Sequence, residues 1–113
     1  MDNDLKKNME NAAAQMRKGV LEFAILLIIS KKETYASEII SSFKKAKLTV
    51  VEGTIYPLLS RLKSSGLLNY NWEESKSGPP RKYYTLTKKG QQFLNAYSQQ
   101  WQNISDTITN LKK

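Results

Sequence analysis

Residues 20–29, Val-Leu-Glu-Phe-Ala-Ile-Leu-Leu-Ile-Ile, restrict the fold more than any other stretch of this chain. The run lies inside a longer pattern in which Leu5, Met9, Ala12, Met16, Val20, Phe23 and Leu27 recur at helical spacing, so residues 5–31 read as one long helix. A helix that is apolar on every side has to be covered on several sides, which makes its second half the centre of the core. Only ten residues long and carrying Glu22, the run is too short and too polar for a membrane span, which takes about 20 apolar residues. A buried core helix, no secretory leader and a cytoplasmic location are the expectation.

A chain of 113 residues holds one modest core, and the remaining pattern gives that core its other walls. Thr34 is placed to cap a second helix over residues 35–47, with Ile39, Ile40 and Phe43 facing inward. A third helix is expected over residues 55–65, where Ile55, Leu58, Leu59 and Leu62 form one apolar stripe. With Thr54 as its N-cap, Pro57 takes the third helical position, where a missing N–H costs nothing. Gly66 supplies a left-handed stop. Leu68, Tyr70 and Trp72 then alternate on one face of a strand, residues 81–86 form the return strand, and Ser75-Lys76-Ser77-Gly78-Pro79-Pro80 is the tip between them. Thr49-Val50-Val51 is a candidate short strand at the edge of this hairpin. Thr87 is placed to cap a last helix over residues 88–111, in which Leu94, Tyr97, Trp101, Ile104, Ile108 and Leu111 follow an unbroken three–four spacing. The fold class is therefore mainly α with a small β-hairpin, a winged helix-turn-helix with long N- and C-terminal helices.

Charge separates the functions such a fold can serve. Net charge is +8, and residues 31–90 carry 12 Lys/Arg against 5 Asp/Glu, so +7 lies around the third helix and the hairpin. That concentration is the footprint of polyanion binding. The side of the third helix opposite its stripe holds Gly53, Pro57, Ser60, Arg61 and Ser64, small and hydroxylated groups around one arginine that let a helix approach another surface closely. Histidine and cysteine are both absent, which removes disulfides, thiolate metal sites and imidazole acid–base chemistry. Glu73-Glu74 is the one adjacent carboxylate pair in the hairpin, and no Gly-rich phosphate loop is present. The reading is accordingly not an enzyme, with no cofactor and no metal.

At Gly53-Thr54-Ile55-Tyr56-Pro57-Leu58-Leu59-Ser60-Arg61-Leu62, Gly66-Leu67 and Gly78-Pro79-Pro80-Arg81-Lys82-Tyr83-Tyr84-Thr85-Leu86-Thr87 the chain resembles the PadR family of bacterial transcriptional regulators. The resemblance extends over residues 15–111 and is to the smaller form with a single C-terminal dimerisation helix. It implies a dimeric repressor that places the third helix in a major groove of a pseudo-palindromic operator and lays its wing on the neighbouring backbone. It further implies that a tryptophan of the last helix sits near the dimer axis, where some members bind aromatic compounds.

The candidate DNA-binding residues are Thr54, Tyr56, Pro57, Ser60, Arg61, Lys63 and Ser64 on the helix and Arg81 and Lys82 on the wing. Tyr56 flanks the apolar stripe and is expected half-buried, and Arg81 and Lys82, as strand neighbours, point to opposite faces. Lys44, Lys45 and Lys47 form a general basic surface. Dimer contacts are expected from Leu94, Tyr97, Trp101, Ile104, Ile108 and Leu111, clasped by Leu5, Met9 and Met16. Trp101 with Tyr97 is either interface core or a platform for a small aromatic effector. Residues 1–86 then form the DNA-binding unit and residues 87–113 the dimerisation helix. The competing reading is a winged-helix interaction module that docks an acidic protein partner through the same basic face.

Overall fold

In the computed structural model, which describes residues 2–48, 50 and 52–113, the chain begins with helix α1 (Asn3–Lys31), capped by the Asp2 carboxylate on the Leu5 N–H at 2.7 Å. The second half of α1 is the buried one, with Leu21, Phe23, Ile25, Leu26 and Ile29 in the core. Its first half is exposed, and Leu5, Met9 and Met16 keep about half or more of their surface open.

Helix α2 (Ala36–Lys45) starts one residue later than the sequence pattern predicts, with Tyr35 rather than Thr34 at its N-cap. Thr34 does something else. It forms an isolated antiparallel bridge with Tyr84, its N–H donating to the Tyr84 carbonyl at 3.2 Å and its carbonyl accepting from the Tyr84 N–H at 2.8 Å. Its hydroxyl donates to the Lys32 carbonyl at 3.0 Å, so a buried polar residue is satisfied without capping. A β-branched residue suits an extended bridge as well as a cap, and the sequence alone does not separate the two.

Helix α3 (Glu52–Ser64) begins three residues before the expected start. Thr54 therefore lies inside the helix, not at its cap, and Pro57 is the sixth helical residue, where its missing N–H leaves the Gly53 carbonyl without an intrahelical partner. Both groups lie on the exposed side, where water can satisfy the carbonyl. The end of α3 follows expectation. Gly66 has φ 79°, its N–H donates to the Lys63 carbonyl and the Leu67 N–H to the Leu62 carbonyl, both at 3.0 Å, with buried Leu62 and Leu67 as the accompanying apolar pair.

The wing is β1 (Leu68–Ser75) paired antiparallel with β2 (Gly78–Leu86) in the register Leu68↔Leu86, Tyr70↔Tyr84, Trp72↔Lys82 and Glu73↔Arg81, with an irregularity between Glu73 and Ser75. Pairing extends further toward the tip than expected, so Gly78, Pro79 and Pro80 belong to β2 and only Lys76 and Ser77 form the turn. A two-stranded ribbon has edges on both sides, and there prolines are tolerated. The candidate strand at Thr49-Val50-Val51 falls largely outside the described residues; Val50 itself is buried and unpaired.

Helix α4 (Lys88–Leu111) has the expected bounds and cap: the Thr87 hydroxyl oxygen accepts from the Gly90 N–H at 2.9 Å and donates to the Gly66 carbonyl at 2.7 Å. The helix runs against α1, where the Tyr97 ring stacks on Phe23 at 4.9 Å between centroids and its hydroxyl donates to the Gly19 carbonyl at 2.6 Å. Four helices and the hairpin thus share one core, with α2, the wing and α4 packed on α1 and α3 packed mainly on α2 and the wing.

Two glycines separate close packing from open surface. A methyl group at Gly90 would overlap the Leu67 carbonyl and press on the Leu86 side chain at 3.1 Å, whereas one at Gly53 would meet nothing within 4 Å. Gly90→Ala should therefore lose about 1–3 kcal/mol of folding stability, while Gly53→Ala should gain about 0.5–1 kcal/mol from helix propensity. Urea unfolding of the two variants checks both signs.

Candidate nucleic-acid interface

The exposed side of α3 is built by exclusion. Ile55, Leu59 and Leu62 are buried and Leu58 is partly buried, which turns Gly53, Pro57, Ser60 and Ser64 directly outward. This central strip has no long side chain, so a partner's surface can come close to the helix backbone. The longer groups stand on its two flanks. On the wing flank are Tyr56, 49% exposed, and Lys63, whose ammonium lies 5.7 Å from the Tyr70 ring centre. On the other flank are Thr54 and Arg61, and Arg61 forms an ion pair with Glu22 of α1.

Between α3, the start of α2 and the wing lies a cleft of about 360 Å³ whose walls include Tyr35, Ser37, Tyr56, Ser60, Trp72, Arg81 and Lys82. Aromatic faces hold both wing cations. The Arg81 guanidinium sits 4.4 Å over the Tyr35 ring, and the Lys82 ammonium lies 4.5 Å from the Tyr70 centre and 5.3 Å from that of Trp72. Strand alternation places Arg81 opposite Glu73 and Lys82 opposite Trp72, as expected for neighbours on opposite faces, yet both line the cleft. A cation resting on an aromatic face gives up rotamer freedom but keeps its N–H donors, a preorganised arrangement for an anionic ligand.

Of the nine predicted residues, Tyr56, Ser60, Arg81 and Lys82 meet in this cleft, Pro57 and Ser64 share the outward strip, and Thr54, Lys63 and Arg61 stand on the flanks. Tyr35, Ser37 and Trp72 join the cleft without having been singled out. Glu22 carries a second signal in the sequence: a lone carboxylate in an apolar run needs a cationic partner, and it has Arg61.

Behind the wing, Glu73 meets Glu33. A hydrogen bond from the Glu33 side chain raises the Glu73 carboxyl above its ordinary value of 4.5, with desolvation and the Glu33 charge acting in the same direction. Burial is the first cause that pushes up the Tyr84 phenol, followed by Tyr56 and Tyr70. Because the folded-state value of Glu73 is raised, folding loses stability as pH rises from about 4.5 through the folded value, and the penalty persists above it. Glu33→Gln should relieve part of that penalty: the variant should gain on the wild type as pH rises through this window, a difference absent in acid. Thermal melts across the range test the direction.

A second, apolar concavity of about 620 Å³ lies between α1 and α4, lined by Met16, Gly19, Val20, Tyr97, Trp101, Ile104 and Ile108. Trp101, Ile104, Ile108 and Leu111 are exposed along the rest of α4, and Leu5, Met9 and Met16 along α1. Leu94 differs from the others of its spacing: at 4% exposure it belongs to the chain's own core and has little surface left for a partner. Tyr97 is half-buried by its stack on Phe23, and Trp101 lies 6.0 Å from the same ring. Among the described residues there is no cluster of three or more His, Cys, Asp or Glu side chains able to hold a metal, and no helix long and apolar enough to cross a membrane.

Residues 25–96 match the family described as transcriptional regulator PadR-like. Solved structures agree over nearly the whole chain. A PadR-like transcription factor from Bacteroides fragilis is 51% identical with a TM-score of 0.77, covering 89% of this chain and 98% of that one. A PadR family transcriptional regulator from Eggerthella lenta DSM 2243 is 27% identical with a TM-score of 0.88, covering 99% and 98%. A PadR-like transcriptional regulator from Bacillus cereus strain ATCC 14579 is 43% identical with a TM-score of 0.78, covering 88% and 97%.

Proposed function

The chain belongs to the PadR-like family of transcriptional regulators, and from that premise we propose that it is a homodimeric repressor of the winged-helix kind that reads a pseudo-palindromic DNA operator. The observation that carries this reading is the plain strip of α3 beside a cleft walled by two aromatic-held cations. Gly53, Pro57, Ser60 and Ser64 let the helix sink into a major groove, where the hydroxyls of Thr54, Ser60 and Ser64 serve either donor or acceptor base edges. Tyr56, Lys63, Arg81 and Lys82 then supply phosphate contacts, which fix position but carry no sequence information.

Residues 1–86 act as the DNA-reading unit and residues 87–113 as the dimerisation helix. The exposed seam of Trp101, Ile104, Ile108 and Leu111, with Leu5, Met9 and Met16, supports pairing of two chains, since a contiguous apolar stripe of this length is costly to leave in water. The concavity at Tyr97 and Trp101 is the place for a small planar aromatic effector.

Selection of duplexes from a randomised pool tests the reading directly. A recovered inverted repeat supports it, and binding to acidic proteins without preference among duplexes would support the interaction-module alternative instead. On the selected duplex, Arg81→Ala combined with Lys82→Ala should weaken binding at every sequence and reduce the slope of log affinity against log salt by about one to two contacts. An unchanged slope removes the wing from the backbone.

Ile104→Asp should dissociate the dimer by placing an unpaired charge in the seam, and operator affinity should fall with it. Trp101→Ala should instead keep operator binding while abolishing any response to planar aromatics. Sedimentation and anisotropy of both variants check the pair of outcomes.

A further inference from the structure

Glu22 is a charged side chain in the most apolar stretch of the molecule, and its side chain is only 16% exposed. A carboxylate so placed needs a partner, and Arg61 provides it from the flank of α3 that faces α1. Arg61 keeps the larger share of solvent, at 62% side-chain exposure, and is the one long charged group on that flank of the outward strip. On the sequence alone Arg61 is the one arginine of the outward side of α3 and a candidate DNA contact. The structure gives it a competing commitment: moving the guanidinium to a base edge or phosphate strands a largely buried carboxylate, at a cost comparable to what a single DNA contact returns.

We propose that Glu22 is a positioning residue for DNA recognition, which fixes the pitch of α3 against α1 through Arg61 and so acts on sequence reading without touching DNA. The proposal rests on the DNA-reading function given above. Its structural logic follows from where Glu22 sits. Gly19, three residues earlier and so on the neighbouring turn of α1, accepts the Tyr97 hydroxyl at 2.6 Å, and the next residue, Phe23, stacks on Tyr97 at 4.9 Å. One stretch of the α1 surface thereby carries the hold on α4, through Gly19 and Phe23, and beside it the pair with the reading helix. Displacement of α4 along α1 is passed to α3 by this pair, and the small-residue strip, which has no long side chains to readjust, reads DNA only in the orientation that the pair sets.

The experiment compares Glu22→Gln, Arg61→Gln and the double variant with wild type, after melts confirm that each is folded. Affinities are measured by anisotropy, over a salt series, on a duplex selected by the wild type from a random pool and on a scrambled duplex of the same composition. Hydrogen exchange of the α3 amides is followed without DNA. A positioning pair predicts that either single variant loses about tenfold on the selected duplex and little on the scrambled one, that the double variant is no worse than the poorer single variant within about twofold, that the salt slope of Glu22→Gln is unchanged, and that α3 exchanges faster in both. Tighter binding with a steeper salt slope in Glu22→Gln overturns the proposal, because Glu22 would then be a competitor that withholds Arg61 from phosphate. Additive losses overturn it as well. A wild type that selects no duplex sinks the DNA-reading function itself, and the pair is then judged on exchange alone, where unchanged α3 protection rejects it.

Discussion

The molecule depends on the burial of one helical segment. Ile25 and Leu26 of α1 have no exposed surface, and each is worth about 1.5–3 kcal/mol of transfer free energy relative to an exposed position. The same core contains Ile39 and Phe43 of α2, Ile55, Leu59 and Leu62 of α3, Leu68 and Tyr84 of the wing and Leu94 of α4. Ile55, Leu59 and Leu62 of α3 and Leu68 and Tyr84 of the wing are buried in the same cluster as this segment, so the geometry at the candidate interface follows from core packing.

Around that centre, polar links at the junctions tie the pieces where apolar contact is thin. The Thr34 bridge to Tyr84 attaches the wing to the turn between α1 and α2. At the other end, the Thr87 hydroxyl reaches the Gly66 carbonyl and the Lys89 ammonium reaches that of Ser65 at 3.2 Å, so the last turn of α3 and the first turn of α4 are fastened to each other. These carbonyls would otherwise be orphans of a helix terminus. The link through Thr87 and Lys89, and the pair Glu22–Arg61, give α4 and α1 separate holds on α3, one at its end and one along its flank.

Most of this was legible in the residues. The three–four spacing of Leu94 to Leu111 and the Thr87 cap give α4 its observed bounds, and Gly66 ends α3 with the positive φ expected of it. Thr34 and Thr54 depart from the caps that the pattern predicts for one physical reason: threonine suits caps, extended bridges and helix interiors alike, and local sequence does not say which neighbour arrives to claim it. The start of α3 lies a turn before the position that a proline avoiding any lost hydrogen bond predicts, because on an exposed face the helix extends further and leaves one carbonyl to water. At the candidate interface, periodicity gave the outward facing of Gly53, Pro57, Ser60 and Ser64 but not the turn of Arg61 toward α1 or the presence of both Arg81 and Lys82 in one cleft. What did not follow was any pairing across elements, Arg61 with Glu22, Arg81 with Tyr35 or Lys82 with Trp72, since these depend on how helices and strands pack.

Charge and apolar surface are kept apart along the chain, and that separation reconciles two opposing demands. A chain of net charge +8 repels its own copy, while the proposed function needs two copies close together. The excess positive charge lies in residues 31–90, whereas Asp106 is the only charged residue between Lys89 and Lys112, so the seam on α4 is nearly neutral. With a screening length of about 8 Å at physiological salt, cations on the wing and α3 contribute little repulsion across a seam formed by a different face of the molecule. In the proposed dimer, association along α4 is governed by apolar burial, which salt hardly weakens, and in the proposed DNA complex contact is governed by counterion release, which salt weakens steeply. The two equilibria respond to different variables because the residues that serve them occupy different faces of the one helix core.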